Sequence, residues 1–184
     1  MRMNRKITWM LLIGAAINFT QCKDAGDKVT PHDENELITS VTLKFAEEGT
    51  SNVSSFGFKD ADGDGGNAPT KFDTIALKPN KTYTLTIELL DESRTPVENI
   101  TNEVAKESDE HLLIYTPSPT SLLTYTYGDK DVNNYVIGLT GKAVTGAAAD
   151  GKLKVQLRHQ PGVKNGKPEP GSDDVSLDFI LKIQ

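Results

Sequence analysis

The sequence predicts an all-β protein, an antiparallel β-sandwich of immunoglobulin-like character with seven to nine strands and one short helix. Three observations lead there. From residue 36 onward apolar residues recur with a period of two, which sets alternate side chains on one face of a sheet. The apolar runs are short and separated by Gly, Asp, Asn and Pro, the residues that turns between strands need. Of 184 residues, 163 remain once the first 21 are set aside, enough for one domain with a core and few for two.

Each element follows from its own pattern. Leu37, Val41, Leu43 and Phe45 share a phase and predict the first strand. Phe56-Gly57-Phe58 and residues 72–77 are strand-like, and Tyr83, Leu85, Ile87 and Leu89 alternate next. Thr95-Pro96-Val97-Glu98 matches a capping box with proline at the first helical position. Val97, Ile100 and Val104 follow at helical spacing, so a helix is predicted over 96–107. Residues 112–115, 122–127 and 135–139 are further short strand-like runs. Leu153, Val155 and Leu157 face inward against Lys152, Lys154, Gln156 and Arg158. In the last strand Val175, Leu177, Phe179, Leu181 and Ile183 face the core, with Asp174, Ser176, Asp178 and Lys182 outward. One wet face per strand is the pattern of two packed sheets.

The N-terminus predicts export. Arg2, Arg5 and Lys6 precede an apolar stretch over 7–17, the pattern of a signal peptide spanning 1–21. A membrane-spanning helix needs about 20 apolar residues. Phe19-Thr20-Gln21-Cys22 reads as a loose lipobox, which makes Cys22 the predicted lipidation site, cleaved just before it. Cys22 is the single cysteine, so it has no disulfide partner, and acylation accounts for it. Residues 22–35 are polar, contain Pro31 and lack a hydrophobic period, so they predict a flexible tether that holds the domain, 36–184, away from a lipid surface. Loss of three basic residues with the signal takes the formal charge from −6 to −9, which argues against nucleic acid as a partner.

Two groups of residues carry candidate metal chemistry. Asp60-Ala61-Asp62-Gly63-Asp64-Gly65 sets Asp60, Asp62 and Asp64 at alternate positions before glycine, as calcium loops do to supply oxygen ligands. The place where an EF-hand supplies a bidentate glutamate is Lys71, and a solvated turn has the same composition. Asp129-Lys130-Asp131-Val132-Asn133-Asn134 is a weaker version. His32 falls in the tether. His111, after Glu110, begins a strand, and His159 ends one, both in the core-facing phase. If those strand ends meet, His111, His159 and Glu110 would make a zinc or copper site; the alternative is two histidines hydrogen-bonded at the core edge. Glu103, Glu107 and His111 would share one face only if the helix ran on through 111, and it is expected to stop earlier.

The loop over 160–173 holds Pro161, Pro168 and Pro170 with Gly162, Gly166 and Gly171, long enough for a recognition loop or a tolerated insertion. No Gly-x-Ser-x-Gly, His-Glu-x-x-His or phosphate-loop motif occurs, and there is no second cysteine. A binding module is therefore expected rather than an enzyme.

Several segments together give a family resemblance that covers nearly all of the mature domain. They are Glu36-Leu37-Ile38-Thr39-Ser40-Val41, residues 60–69, Leu89-Leu90-Asp91-Glu92, Glu110-His111 with Tyr115, and His159-Gln160-Pro161 with Lys164. With its loose lipobox the chain resembles small envelope lipoproteins of Bacteroidota, often encoded beside TonB-dependent outer-membrane receptors. The resemblance implies an outer-membrane location, periplasmic or surface-exposed, and an accessory role to such a receptor in nutrient or metal acquisition. Some relatives carry the label of the type 1 periplasmic-binding fold, a two-lobed α/β architecture that this short strand-rich chain does not suit. A calcium-stiffened surface module resembling an adhesin domain is a further expectation, resting on the Asp60 loop.

Overall fold

Ten strands form among the described residues, more than the seven to nine expected, most of them on alternating side chains. The computed structural model describes residues 36–62 and 66–184; the predicted signal peptide, Cys22, the tether with His32, and Asp64 lie outside them. In chain order the elements are β1 (Ser40–Glu47), β2 (Val53–Lys59), β3 (Lys71–Phe72), β4 (Ile75–Leu77), β5 (Thr82–Leu90), α1 (Ile100–Lys106), β6 (His111–Ser118), β7 (Leu123–Tyr127), β8 (Thr140–Thr145), β9 (Ala149–His159) and β10 (Ser172–Ile183). One sheet runs β3-β2-β1-β5-β8-β7 and the other β4-β10-β9-β6. All pairings are antiparallel except β4 with β10. The expected all-β sandwich is the architecture of the domain.

The two sheets share one core. Leu43, Phe45 and Leu85 from the first meet Leu153, Leu157, Phe179 and Leu181 from the second, all fully buried. Each such side chain contributes about 1.5–3 kcal/mol relative to an exposed one. Phe45 stacks edge-on with Phe56 and Tyr83 at 6.0 Å. Phe72 bridges the layers, meeting Phe58 at 5.2 Å and Phe179 at 5.0 Å.

The departures from expectation have local causes. Residues 72–77 form two strands in different sheets, because the chain crosses the sandwich at Asp73-Thr74, where Asp73 accepts the Gly57 N–H at 2.8 Å. β4 therefore lies parallel to β10. The helix starts at Ile100 instead of 96. Asp91 and Glu98 pair as an isolated bridge, and Asn99 is the cap, accepting from the Asn102 N–H at 3.2 Å. Leu37 precedes β1 and is exposed, while Ile38 is buried in its stead.

Residues 135–139 hold only a bridge between Lys130 and Val136. Side-chain acceptors occupy the amides a strand would offer: Asp129 takes the N–H groups of Gly138 and Thr140, and Asp131 those of Asn133 and Tyr135. These roles also turn the 129–134 acids into turn supports. β8 replaces the missing strand. Its inward positions are Gly141, Ala143 and Thr145, small because the ring end of Tyr125 lies over Gly141, 2.4 Å from where a Cβ would stand.

Candidate functional site

His111 and His159 are direct partners across the β6–β9 ladder. The core-facing phase read from the sequence brings both imidazoles inward, stacked with centroids 4.9 Å apart and planes 7° from parallel. His111 is fully buried and His159 nearly so. The Nδ1 of His111 lies 3.1 Å from the Glu107 carbonyl, which only accepts, so this nitrogen carries the proton. Burial pushes the His111 pKa down against the opposing pull of that carbonyl, and the neutral ring then presents its lone pair at Nε2.

That lone pair faces Asp174. The distance from Nε2 to Oδ2 of Asp174 is 3.7 Å, and His159 Nδ1 stands 4.0 Å from Oδ1. Both gaps exceed hydrogen-bond length. Asp174 was expected to face solvent in the polar phase of β10, yet its side chain has no exposed surface. A β-bulge is the reason: the β9–β10 register pairs Asp173 with Arg158 and then Val175 with Leu157, leaving Asp174 as the extra residue. The bulge turns the unpaired residue away from the alternation and re-aims its side chain. Among the described residues, neither Nε2 of His111 nor the carboxylate oxygens of Asp174 meet a side-chain donor in full hydrogen-bond geometry, and the Glu36 amide is the one donor that bears on Asp174.

Further acids gather at this end of the sandwich. Burial raises the Asp174 pKa to about 6; His159 and the nearby Glu36 amide pull it down, and Asp173 pushes it up. Glu36 is raised to about 7 by burial and by Glu103, with which it shares a hydrogen bond, and by Asp174 and Glu107. The helix ends at Lys106, as the sequence reading required, and Glu103 reaches the group through Glu36. A cavity of about 320 Å³ opens between the sheets here, lined by Glu36, Asp60, Asp173 and Asp174 among apolar Phe58 and Val175.

The sequence-predicted residues divide. His111 and His159 come together as expected. Glu110 stands at the rim, 39% exposed, with its carboxyl 3.9 Å from His159 Nε2, about as far as Asp174 lies from the other nitrogen of that ring. Asp60 lines the cavity and shares a side-chain hydrogen bond with Asp62, which in turn accepts the backbone and side-chain N–H groups of Asn67 at 2.9 and 2.8 Å. Those bonds hold the Asp62 carboxyl below its ordinary range and tie it into the turn. Asp174 and Glu36 were missed as site residues. The Asp173-Asp174 pair at the head of a strand is the only sequence signal for the first.

The long loop braces the site from behind. Arg158 donates to Asp173 at 2.6 Å and to the carbonyls of Glu169, Pro170 and Gly171. Gln160, fully buried, donates to Lys167 and Pro170 carbonyls. Gly171, at φ 82°, passes so close to the His159 carbonyl that any Cβ would collide with it. Lys164 pairs with Asp131 at 2.9 Å, both side chains buried, and donates to the Ser108 carbonyl at 2.7 Å. The loop is thus pinned down along its length, with its polar side chains turned to its own support. No protein-family model, curated protein or solved structure matches this chain.

Proposed function

We propose that the protein is a lipid-anchored binding module of the cell envelope, acting at the outer membrane as an accessory to a TonB-dependent receptor in nutrient or metal acquisition. The observation that carries the binding part is the cavity between the sheets, whose walls bear four carboxyl groups including Asp174, whose side chain is fully buried. Clustered carboxylates at a partly enclosed mouth concentrate cations, so the ligand is positively charged. Support for the anchor is the signal-like segment ending at Cys22, and support for binding over catalysis is the lack of catalytic motifs.

Two measurements test this. Cells fed labelled palmitate should label the wild-type chain and leave Cys22→Ser unlabelled; equal labelling of both would remove the anchor. Crosslinking in whole cells should recover a TonB-dependent receptor with the wild-type chain. Recovery of no such receptor would end the accessory role.

A further inference from the structure

We propose that His111, His159 and Asp174 form a site for a borderline divalent cation of the zinc class, reached through the acidic cavity. This deepens the reading of the cavity as the binding site and rests on it. Among the described residues no group of three or more His, Cys, Asp or Glu stands in metal-holding geometry. The case rests on what surrounds the gap and on how little must move to close it.

The facing groups are both acceptors. His111 is held with Nδ1–H on the Glu107 carbonyl, so its Nε2 offers a lone pair to the carboxylate of Asp174. Among the described residues all three atoms, Nε2 and the two carboxylate oxygens, are buried with no donor in full hydrogen-bond geometry, the Glu36 amide alone bearing on the carboxylate. Buried polar atoms are nearly always satisfied, and a cluster of acceptors is satisfied by a cation between them. A carbonyl fixing the far nitrogen is also the outer contact that orients a ligating imidazole.

The distances set how far the three side chains must move to share one ion. Zinc binds imidazole nitrogen and carboxylate oxygen at about 2.0–2.2 Å, which places neighbouring ligand atoms of a tetrahedron about 3.3 Å apart. The gaps of 3.7 Å from His111 Nε2 to Oδ2 and 4.0 Å from His159 Nδ1 to Oδ1 are too long for hydrogen bonds, and sharing one ion requires both to close and the carboxylate to turn between the rings. Parallel rings cannot aim their in-plane lone pairs at one point, so one ring must turn. His159 is the ring to turn, because among the described residues its side chain makes no hydrogen bond within 3.5 Å, whereas His111 is tied to Glu107. Water from the cavity fills the fourth position.

The donor set selects the ion. Two imidazole nitrogens and one carboxylate suit zinc, with copper as the nearest competitor, while calcium asks for six to eight oxygens.

The test is a calorimetric zinc titration of the full purified chain after chelation, with X-ray absorption on the zinc-loaded wild type. One equivalent should bind, with absorption showing two imidazole nitrogens at about 2.0–2.1 Å. Asp174→Asn and His111→Gln should each weaken binding by at least about 100-fold, more than the loss of an outer contact would. Glu110→Gln and His32→Ala should change it less than about threefold, as neither contributes a ligand. Absence of stoichiometric binding to the folded wild type overturns the proposal, as does a first shell without imidazole or binding retained in Asp174→Asn. Displacement of the zinc by millimolar calcium also overturns it. The absorption measurement decides the ligand set even if a variant fails to fold. Cys22→Ser should bind zinc as the wild type does, so this site and the anchor fail separately.

Discussion

Replacing Asp174 with asparagine is expected to make the cation-free protein more stable. The carboxylate has no exposed surface and, among the described residues, no side-chain donor for either oxygen. Its pKa rises from 3.8 to about 6, which sets ~3 kcal/mol against the ionised form present at pH 8. Asparagine keeps the shape and removes the charge. An amide atom left unsatisfied gives back about 1 kcal/mol, and an N–H turned to the His111 lone pair recovers part of that. The net gain is about 2 kcal/mol, or about 6 °C in Tm for a domain of this size. Thermal and urea unfolding with a chelator present, at pH 8, read it directly. A variant equal to or weaker than the wild type would show that Asp174 is already satisfied, and the reasoning about an unmet acceptor cluster would fall. With zinc in excess the order should invert, since only the wild type gains binding free energy.

Three other outcomes are expected. Asp131→Ala strands the Lys164 ammonium in a buried place and should cost about 3 kcal/mol in urea unfolding, whereas Asp131→Leu with Lys164→Met should cost less than the single change. Desolvation raises the Asp131 carboxyl, but Lys164 and the amides of Tyr135 and Asn133 outweigh it and hold the pKa below 3.8. The contribution of that pair is therefore complete above the ordinary carboxylate pKa and is lost as pH falls through the lowered folded value; amide exchange in loop 160–171, corrected for intrinsic rate, should accelerate only in that acid window. Gly141→Val places a Cβ 2.5 Å from the Thr126 carbonyl oxygen and against the Tyr125 ring, so β7 should loosen and Tm should drop by an amount equivalent to about 1–3 kcal/mol.

Much of the fold was legible because burial and sequence alternation coincide. β5, β9 and the second half of β10 alternate without interruption and lie where the pattern puts them. β8 was illegible because close approach to Tyr125 requires small inward residues, which leave no hydrophobic period. The helix start was misplaced because Asn99 caps it from beyond the Asp91–Glu98 bridge, a tertiary pairing that a local motif does not reveal. At the site, the inward facing of each histidine was readable from phase, while their meeting rests on the pairing of β6 with β9. Asp174 was not, because alternation presumes an unbroken ladder and one extra residue at 174 breaks it.

That extra residue makes the site a matter of parity. Deleting a single residue between Ser172 and Val175 would restore a regular ladder to β9 and leave the hydrophobic face of β10 in place from Val175 onward. It would also leave the strand without the carboxylate that faces the histidines. The same sandwich could therefore gain or lose its acidic partner through one codon of insertion or deletion, with scarcely a change in composition. Chains of this fold are best compared by counting residues between Gly171 and Val175, where spacing carries information that residue identity does not.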